Sequence, residues 1–400
     1  MFTQRFVQID HLLQQHRLYW QFQPFEQHDY PWREIHPSLC SWLEQQSDQS
    51  LYQWAEDPGQ ALQRCQPFIA ALADLPGLLS LPMAGEALEA PFWLKTAVKG
   101  RKWQQISRFS SLVPESQEPL LEWCAGKGHL GRVLGWRDRR PVLSLEWQSS
   151  LCQEGEQLAH KVKIEQQFAC TNVLTQNTSP HFANTHTVTA LHACGQLHIE
   201  MLRQAARHGS SQICLSPCCY QLIPDTQYCP LSKAGQTSTL TLSRSDLRLA
   251  VQETVTATSR DTKRRQTERL YRLVFDNWQR QVNNSNSYLN VPPVPHSLLK
   301  EDVLAFCQWA AKQKELPAPR EEQLPSLFEH AQVRAKQIQR MEWVQHQFRR
   351  ALELWLVLDR CLYLEEEGYQ VELMTFCERQ VSPRNLFIRA KKSVNSSADA

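Results

Sequence analysis

A cluster of glycines in a chain that uses few of them constrains the fold of these 400 residues more than any other feature. Four of the thirteen glycines lie between Gly126 and Gly135, directly after an apolar run at residues 120–124, and Pro141 limits any helix that follows. Glycine is needed where the backbone takes a positive φ or where a ligand comes close to it. The backbone N–H groups at the start of a helix are unpaired. The pattern therefore predicts a strand, a ligand-binding turn and a short helix.

Short apolar segments alternate with helical ones after this turn, which predicts an α/β fold with a parallel sheet and helices on both faces. Further strands are expected at residues 142–145, 167–170, 187–192 and 212–216. Two late strands, at residues 369–377 and 385–391, lie so close in sequence that they should pair as an antiparallel hairpin. The predicted fold is a Rossmann-like class I methyltransferase sheet that ends in an antiparallel hairpin.

The length predicts more than one packed unit, and the pattern divides the chain into five segments. Residues 1–95 are predicted to form a helical N-terminal domain, and residues 96–224 form the first part of the core, which opens with a basic helix at residues 99–112. Residues 225–365 are a helical insertion, residues 366–392 carry the terminal hairpin, and residues 393–400 are a disordered tail.

Composition indicates a soluble protein of the cytoplasm without a membrane association. The net charge of +2 gives no global field that would name a partner. The N-terminus lacks the pattern of a signal peptide, and no stretch approaches the ~18–20 apolar residues of a spanning helix. We therefore expect the thirteen cysteines to be reduced thiols.

The glycine turn is predicted to bind S-adenosylmethionine, and a side chain at Gly128 is expected to fill space that the ligand needs. Glu122 lies within the preceding strand, and Glu146 closes the second strand, where an acid accepts hydrogen bonds from both ribose hydroxyls. Thr171 and Asn172 follow the third strand, near the expected adenine, although an ordinary turn explains them equally. The full set of predicted cofactor-binding residues is Glu122, Cys124, Gly126, Lys127, Gly128, Glu146, Thr171 and Asn172.

A dinucleotide is the alternative ligand. The run from Gly126 to Gly131 also matches the pattern G-x-G-x-x-G, which would indicate an oxidoreductase that binds NAD. The acid within the first strand, the short helix before Pro141 and the terminal hairpin favour the methyl donor. A purely structural turn is the third reading.

Two further loops leave the fourth and fifth strands, His192-Ala193-Cys194-Gly195 and Ser216-Pro217-Cys218-Cys219-Tyr220. Ligands of open parallel sheets bind at the carboxyl ends of the strands, beside the point where the strand order reverses. Both loops should therefore face the transferred methyl group. The candidate catalytic residues are His192, Cys218, Cys219 and Tyr220.

Several of these motifs together resemble one methyltransferase-like family, which includes eukaryotic methyltransferase-like proteins and the glutathione S-transferase C-terminal-domain-containing protein. They are Gly126-Lys127-Gly128-His129-Leu130, Leu191-His192-Ala193-Cys194-Gly195, Pro217-Cys218-Cys219-Tyr220, Ser382-Pro383-Arg384-Asn385 and the upstream basic segment Gly100-Arg101-Lys102-Trp103-Gln104-Gln105-Ile106. The resemblance covers roughly residues 98–222 and 340–392. It implies a class I methyltransferase core and leaves the substrate open. Cys124 departs from it, because many methyltransferases have a glycine there.

The roles of the histidine and cysteine loops stay open at this stage. Pro217 to Tyr220 occupies the place of the loop that orients a planar nitrogen in amino-methyltransferases, but a thiolate there could also attack a base in RNA. Packing of small cysteines is the plain alternative. A metal site from His192, Cys194, Cys218 and Cys219 lacks the usual C-x-x-C pairs, so no metal is predicted. His192 fits a proton acceptor and a structural histidine equally.

The substrate is expected to be a macromolecule, with RNA first and protein second, because two extra helical parts are large for a small-molecule enzyme. The segment from Arg260 to Arg280 carries seven basic residues against three acidic ones, and on a helix they could form a stripe that holds phosphates. A small-molecule substrate and an inactive cofactor-binding interaction module are the alternatives. The oligomeric state does not follow from the sequence.

Overall fold

The computed structural model describes residues 2–96, 98–183, 185–252 and 259–393, so most of the predicted C-terminal tail lies outside the described residues. The chain divides into two compact units. The first, called the sheet unit, comprises Met1–Gln15, Pro76–Thr256 and Arg349–Ala400. The second, called the helical unit, comprises His16–Leu75 and Ala257–Phe348.

Helices and strands follow one another along the chain with these bounds. The helices are α1 (Phe2–Gln15), α2 (Arg17–Trp20), α3 (Pro37–Gln45), α4 (Asp48–Glu56), α5 (Pro58–Cys65), α6 (Leu75–Leu79), α7 (Phe92–Lys95), α8 (Gly100–Leu112), α9 (His129–Asp138), α10 (Ser149–Lys161), α11 (Gln196–Arg207), α12 (Lys233–Thr237), α13 (Arg244–Leu249), α14 (Ser259–Asn283), α15 (Val303–Gln313), α16 (Leu324–Gln345) and α17 (Arg349–Glu366). The strands are β1 (Leu120–Trp123), β2 (Val142–Glu146), β3 (Gln166–Cys170), β4 (Thr187–Cys194), β5 (Gln212–Cys218), β6 (Tyr369–Thr375) and β7 (Leu386–Lys392).

The seven strands form one sheet in the order β3-β2-β1-β4-β5-β7-β6. Neighbours from β3 to β5 run parallel, whereas β7 is antiparallel to both β5 and β6. The strand order therefore reverses between β1 and β4, which is where open α/β sheets place a ligand. Both the predicted α/β fold with a parallel sheet and its terminal antiparallel hairpin are confirmed.

Burial explains why these segments became strands. All four residues of β1 are buried, as expected for a strand that helices cover on both faces. The basic helix predicted at residues 99–112 is α8, which packs against α9. No helix among the described residues has the length and apolar character needed to cross a membrane.

The compact units cut across the predicted segments. Helix α17 falls within the predicted insertion at residues 225–365, yet it packs on α1 and on β6 of the sheet unit. It is buried on every side from Ala351 to Leu362, which suits the interior of a protein. Compactness does not test whether a segment folds by itself, so the five predicted boundaries remain predictions.

The helical unit contains the predicted basic stripe on α14, and much of that stripe serves the fold. Arg269 pairs with Glu342 at 2.8 Å, and Arg272 pairs with Glu268 at 2.9 Å. Arg280 is buried and pairs with Asp276 at 2.8 Å. The exposed basic residues are those of the first two turns, Arg260, Lys263, Arg264 and Arg265. The second half of the stripe is therefore less exposed than the first, and phosphate binding by either half stays a prediction.

Candidate active site

Three loops at neighbouring strand ends share an uncommon backbone conformation. Cys124 follows β1 with φ +55°, His192 lies near the end of β4 with φ +66°, and Cys219 follows β5 with φ +49°. Side-chain-bearing residues rarely adopt a positive φ, and such strained positions cluster at functional sites. Because β1, β4 and β5 are adjacent in the sheet, the three residues lie at one edge of it beside the reversal of strand order, where open α/β sheets have their ligand crevice.

The two glycines of the turn have similar backbone angles but face different surroundings. Gly126 has φ +58° and Gly128 has φ +62°. A Cβ at Gly126 would meet nothing within 4 Å, whereas one at Gly128 would collide with the side chains of Gln166 and Phe168. Gly126 is thus the open point of the turn. The expectation that a side chain at Gly128 would fill the ligand's space is wrong, since its missing Cβ points into the protein.

Glu146 is fixed by backbone amides at the end of β2. Its Oε2 accepts a hydrogen bond from Gly126 N at 2.9 Å, and its Oε1 accepts one from Gln148 N at 3.0 Å. Thr171 lies beside it, because Thr171 N donates to Glu146 O at 2.9 Å. Asn172 is exposed, and its side chain accepts from Leu174 N at 3.1 Å within its own turn. The predicted ribose and adenine positions are therefore adjacent along the ends of β2 and β3.

Glu122 lies beneath the turn rather than at its surface. The carboxylate is buried and accepts hydrogen bonds from Ser144 Oγ at 2.7 Å and Gln166 Nε2 at 3.3 Å, and burial raises its pKa. It also accepts from the backbone N–H of Gly131 in the first turn of α9. Gln166 Nε2 donates in addition to Gly128 O at 2.9 Å. Glu122 therefore supports the turn from below, as does Gln166, which the sequence analysis missed.

Lys127 is turned toward α10. Its Nζ pairs with Glu154, and its carbonyl oxygen accepts a hydrogen bond from Arg132 NH2 at 2.6 Å. Arg132 is buried, so this contact anchors the turn to the interior. The side chain of Lys127 thus links the glycine turn to α10.

The hydrogen bonds of His192 determine which nitrogen of its ring carries the proton. Gln105 Nε2 on α8 donates to Val381 O at 3.2 Å, which leaves Gln105 Oε1 facing His192 Nε2 at 2.8 Å. Because Oε1 only accepts, Nε2 must carry the proton and Nδ1 must carry the lone pair. Nδ1 is shielded from solvent and has no hydrogen-bond partner among the described residues. Burial lowers the pKa of His192 to about 4, so the ring is neutral at pH 7.

Cys194, Cys218 and Cys219 form a cluster of sulfurs at the ends of β4 and β5. Cys194 and Cys218 are register partners across the two strands, and their Sγ atoms are 3.6 Å apart. All three sulfurs lie within 4.8 Å of one another. Hydrogen bonds from the other two thiols lower the pKa of Cys219, and the nearby charge of Arg384 acts in the same direction. This part of the cluster therefore favours a thiolate.

Tyr220 lies in the interior of the sheet unit. Its side chain is 0% exposed, and its ring lies 5.2 Å from the guanidinium carbon of Arg360 and 6.0 Å from the ring of His198. Arg360 belongs to α17 and His198 to α11. In this structure the ring is packed against helices and is not open to a substrate, in contrast to the orienting role considered from the sequence.

The loop between β6 and β7 lies at the same edge of the sheet as the cysteine loop. Ser216 Oγ near the end of β5 donates to Arg384 O at 3.4 Å. Asn385 holds this loop in place, because its Nδ2 donates to Cys377 O at 2.7 Å and its Oδ1 accepts from Arg350 at 3.0 Å. The Ser382–Asn385 motif thus places Arg384 beside the cysteine cluster, although more than 160 residues separate them in sequence.

Most of the candidate site lies in a segment of the chain that matches a known family of protein domains. Residues 101–226 match the family model of a methyltransferase domain. The match begins at the start of α8, includes β1 to β5 and ends after the cysteine loop. Glu122, Glu146, His192 and the three clustered cysteines all lie inside it.

Solved structures with similar folds include several methyltransferases. The tRNA (uracil-54, C5)-methyltransferase of Pyrococcus abyssi, in complex with S-adenosyl-L-homocysteine, is 17% identical, with a TM-score of 0.24 over 28% of this chain and 27% of that chain. An RNA methyltransferase from Salinibacter ruber, in complex with the same molecule, is 11% identical, with a TM-score of 0.25 over 31% of this chain and 82% of that chain. Coclaurine N-methyltransferase is 12% identical, with a TM-score of 0.27 over 45% and 62%. Likenesses at these TM-scores say nothing about the substrate of this chain.

Proposed function

We propose that this chain, an S-adenosylmethionine-dependent methyltransferase, methylates RNA. The observation that carries the choice of substrate is the positive charge beside the crevice. Burial is the main cause of the lowered pKa of His192, and the charges of Arg384 and Lys102 add to it, so both cations lie near the ring. Lys102 is exposed on α8. Cations at the rim of a site attract a polyanion, whereas the net charge of the chain does not.

The residues of the turn fit the methyl donor. Gly126 offers an open approach, since a Cβ there would meet nothing within 4 Å. The carboxylate of Glu146 is held by two amides and keeps further lone pairs for the ribose hydroxyls. Thr171 and Asn172 lie after β3, where the adenine of the cofactor would bind. When bound, the donor supplies a methyl group on a sulfonium, which needs little further activation.

The histidine and cysteine loops would act on the acceptor. His192 has a pKa of about 4 and a shielded Nδ1, so it is a weak base and would act by positioning the β4 loop. Weak basicity is sufficient here, because alignment of two bound reactants supplies much of the rate. Cys219 is the better of the two neighbouring cysteines for an attack on a base ring, since its pKa is lowered.

Calorimetric titration of the full chain with S-adenosylmethionine and with NAD tests the cofactor. We expect S-adenosylmethionine to bind and NAD not to bind, and Glu146→Ala to weaken binding because the ribose loses its acceptor. Glu118→Ala is the control, since Glu118 is exposed and precedes β1. Tight binding of NAD without binding of S-adenosylmethionine would contradict the assignment.

Transfer of a labelled methyl group tests the substrate. Total RNA, protein and small-molecule fractions are taken from a strain that lacks this gene and are incubated with the enzyme and labelled donor. Label in RNA that ribonuclease releases supports the proposal. Label only in protein or in small molecules moves the acceptor to that class. Intact donor binding without any transfer points to an interaction module.

A further inference from the structure

We propose that Cys194, Cys218 and Cys219 bind a Zn²⁺ ion and leave one coordination position open to the crevice. Their three sulfurs all lie within 4.8 Å of one another, and this is the one group of three or more metal-ligating side chains with such spacing among the described residues. Thiolate sulfur is a preferred ligand of Zn²⁺. The proposal departs from the sequence-based expectation of no metal.

The backbone of the sheet brings the three cysteines together. Cys194 and Cys218 are Cα partners on the parallel strands β4 and β5. Gly195 N donates to Cys218 O at 3.0 Å, and Leu222 N donates to Cys219 O at 3.0 Å. The cluster is therefore set by strand register and by the turn that follows, so it does not depend on a chance arrangement of mobile side chains.

The spacing of the sulfurs suits a tetrahedral ion. Zn–S bonds of about 2.3 Å imply sulfurs about 3.8 Å apart in a tetrahedron. Cys194 Sγ and Cys218 Sγ are 3.6 Å apart. Small rotations of side chains would bring the three sulfurs to one centre without moving the strands.

The number of ligands points to an open site. Structural zinc sites are closed by four protein ligands, whereas sites with three protein ligands keep a fourth position for water or substrate. His192 lies outside the group of ligand atoms within 4.8 Å. Cys194 and Cys219 are partly exposed, whereas Cys218 is buried, so the unfilled position faces outward. An oxygen, nitrogen or sulfur atom of an acceptor could occupy it.

This site goes beyond the proposed methylation of RNA and gives Cys219 the role of a metal ligand in place of that of a nucleophile. Metal binding can be measured without any methyl transfer. The full chain is purified under reducing conditions, stripped with a chelator and titrated with Zn²⁺ against a competing indicator. We expect one ion per chain. Loss of an outer contact to a ligand costs roughly 10–100-fold in metal affinity, so loss of a ligand in Cys218→Ser should cost at least about 100-fold. Cys170→Ser is the matched control, because Cys170 is exposed and outside the cluster.

Spectroscopy of the unaltered chain keeps the proposal testable if a variant fails to fold. Replacement of Zn²⁺ by Co²⁺ should give thiolate charge-transfer bands and the visible bands of a four-coordinate ion. X-ray absorption of the zinc form should show three sulfurs and one lighter atom. No bound ion, or equal affinities of Cys218→Ser and Cys170→Ser, would overturn the site. A hundredfold loss of Zn²⁺ affinity in His192→Ala would overturn the open coordination position, because His192 would then be the fourth ligand.

Discussion

Single residues of the turn and of the β4 loop have functions that depend on where they point. Gly126 and Gly128 look equivalent in the sequence and have φ values of +58° and +62°. Only one of them faces open space. Substitutions at the two positions can therefore be compared directly. Both would strain a backbone with a positive φ, but the added Cβ would point in different directions.

We predict that Gly126→Ala and Gly128→Ala separate ligand binding from stability. Each substitution should lose about 1 kcal/mol to backbone strain. Gly128→Ala should lower the melting temperature further, because its Cβ collides with Gln166 and Phe168. Gly126→Ala should instead weaken the binding of S-adenosylmethionine in calorimetry at a smaller cost in melting temperature. The reverse order of melting temperatures would contradict the geometry of the turn.

His192 should make stability depend on pH. Its pKa is about 4 in the folded chain, against an ordinary value of about 6.5. Below about pH 6.5 the unfolded chain binds a proton that the folded chain does not, so the free energy of unfolding falls as the pH falls toward 4. The greatest slope from one such group is about 1.4 kcal/mol per pH unit.

Comparison with His192→Gln isolates this effect. Burial also lowers the pKa values of His129 and His198, so both proteins lose stability in acid. Glutamine cannot take up the proton, and the variant should therefore gain stability relative to the unaltered chain between pH 7.5 and pH 5. Urea unfolding at both pH values measures the difference. If the difference in the free energy of unfolding between the two proteins is the same at both pH values, His192 is not held neutral.

Among the elements, helix α17 explains why Tyr220 is buried. Asp359 on this helix accepts hydrogen bonds from Tyr228 OH at 2.6 Å and from both N and Oγ of Ser232, at 2.9 and 2.7 Å. The next residue, Arg360, donates to His198 Nε2 at 2.8 Å and lies over the Tyr220 ring. Such a buried network is stable only when every member is paired.

Strand positions were largely predictable, and the contacts of the loops were not. The runs that became β1 to β7 differ from the predicted strands by a few residues at their ends, because alternating apolar segments and glycine turns are local signals. The role of Gln105 depends on α8 lying beside the β4 loop, and the place of Arg384 depends on β7 pairing with β5. These are long-range contacts, which no spacing along the chain encodes.

At the scale of the whole molecule, basic residues occur in both compact units. Lys102 belongs to the sheet unit, whereas Arg260, Lys263, Arg264 and Arg265 are exposed on α14 of the helical unit. Arg264 already pairs with Asp261 at 3.1 Å. Arg269, Arg272 and Arg280 are less exposed than these four residues, so the first two turns offer the more accessible positive charge.

We predict that substitution of Lys263, Arg264 and Arg265 by glutamine weakens RNA binding and flattens its dependence on salt. Each lost phosphate contact should lower the slope of log affinity against log salt by about 0.7 for single-stranded RNA. Titrations at several salt concentrations measure that slope. Lys312→Gln is the control, because Lys312 is exposed on α15 of the same unit. Equal slopes for the triple variant and the control would remove α14 from the RNA-binding surface.

The sequence by itself determined the class of sheet, the glycine turn and the identity of the strand-end loops, because apolar periodicity and glycine placement act locally. Tertiary structure alone decided which of these residues point outward and which point into the protein. It turned Gly128 and Tyr220 inward, placed Glu122 beneath the turn, and gathered Cys194, Cys218 and Cys219 within 4.8 Å. The direction of a side chain and its distance from other residues depend on the pairing of strands and the packing of helices. These contacts join residues that are far apart in the chain.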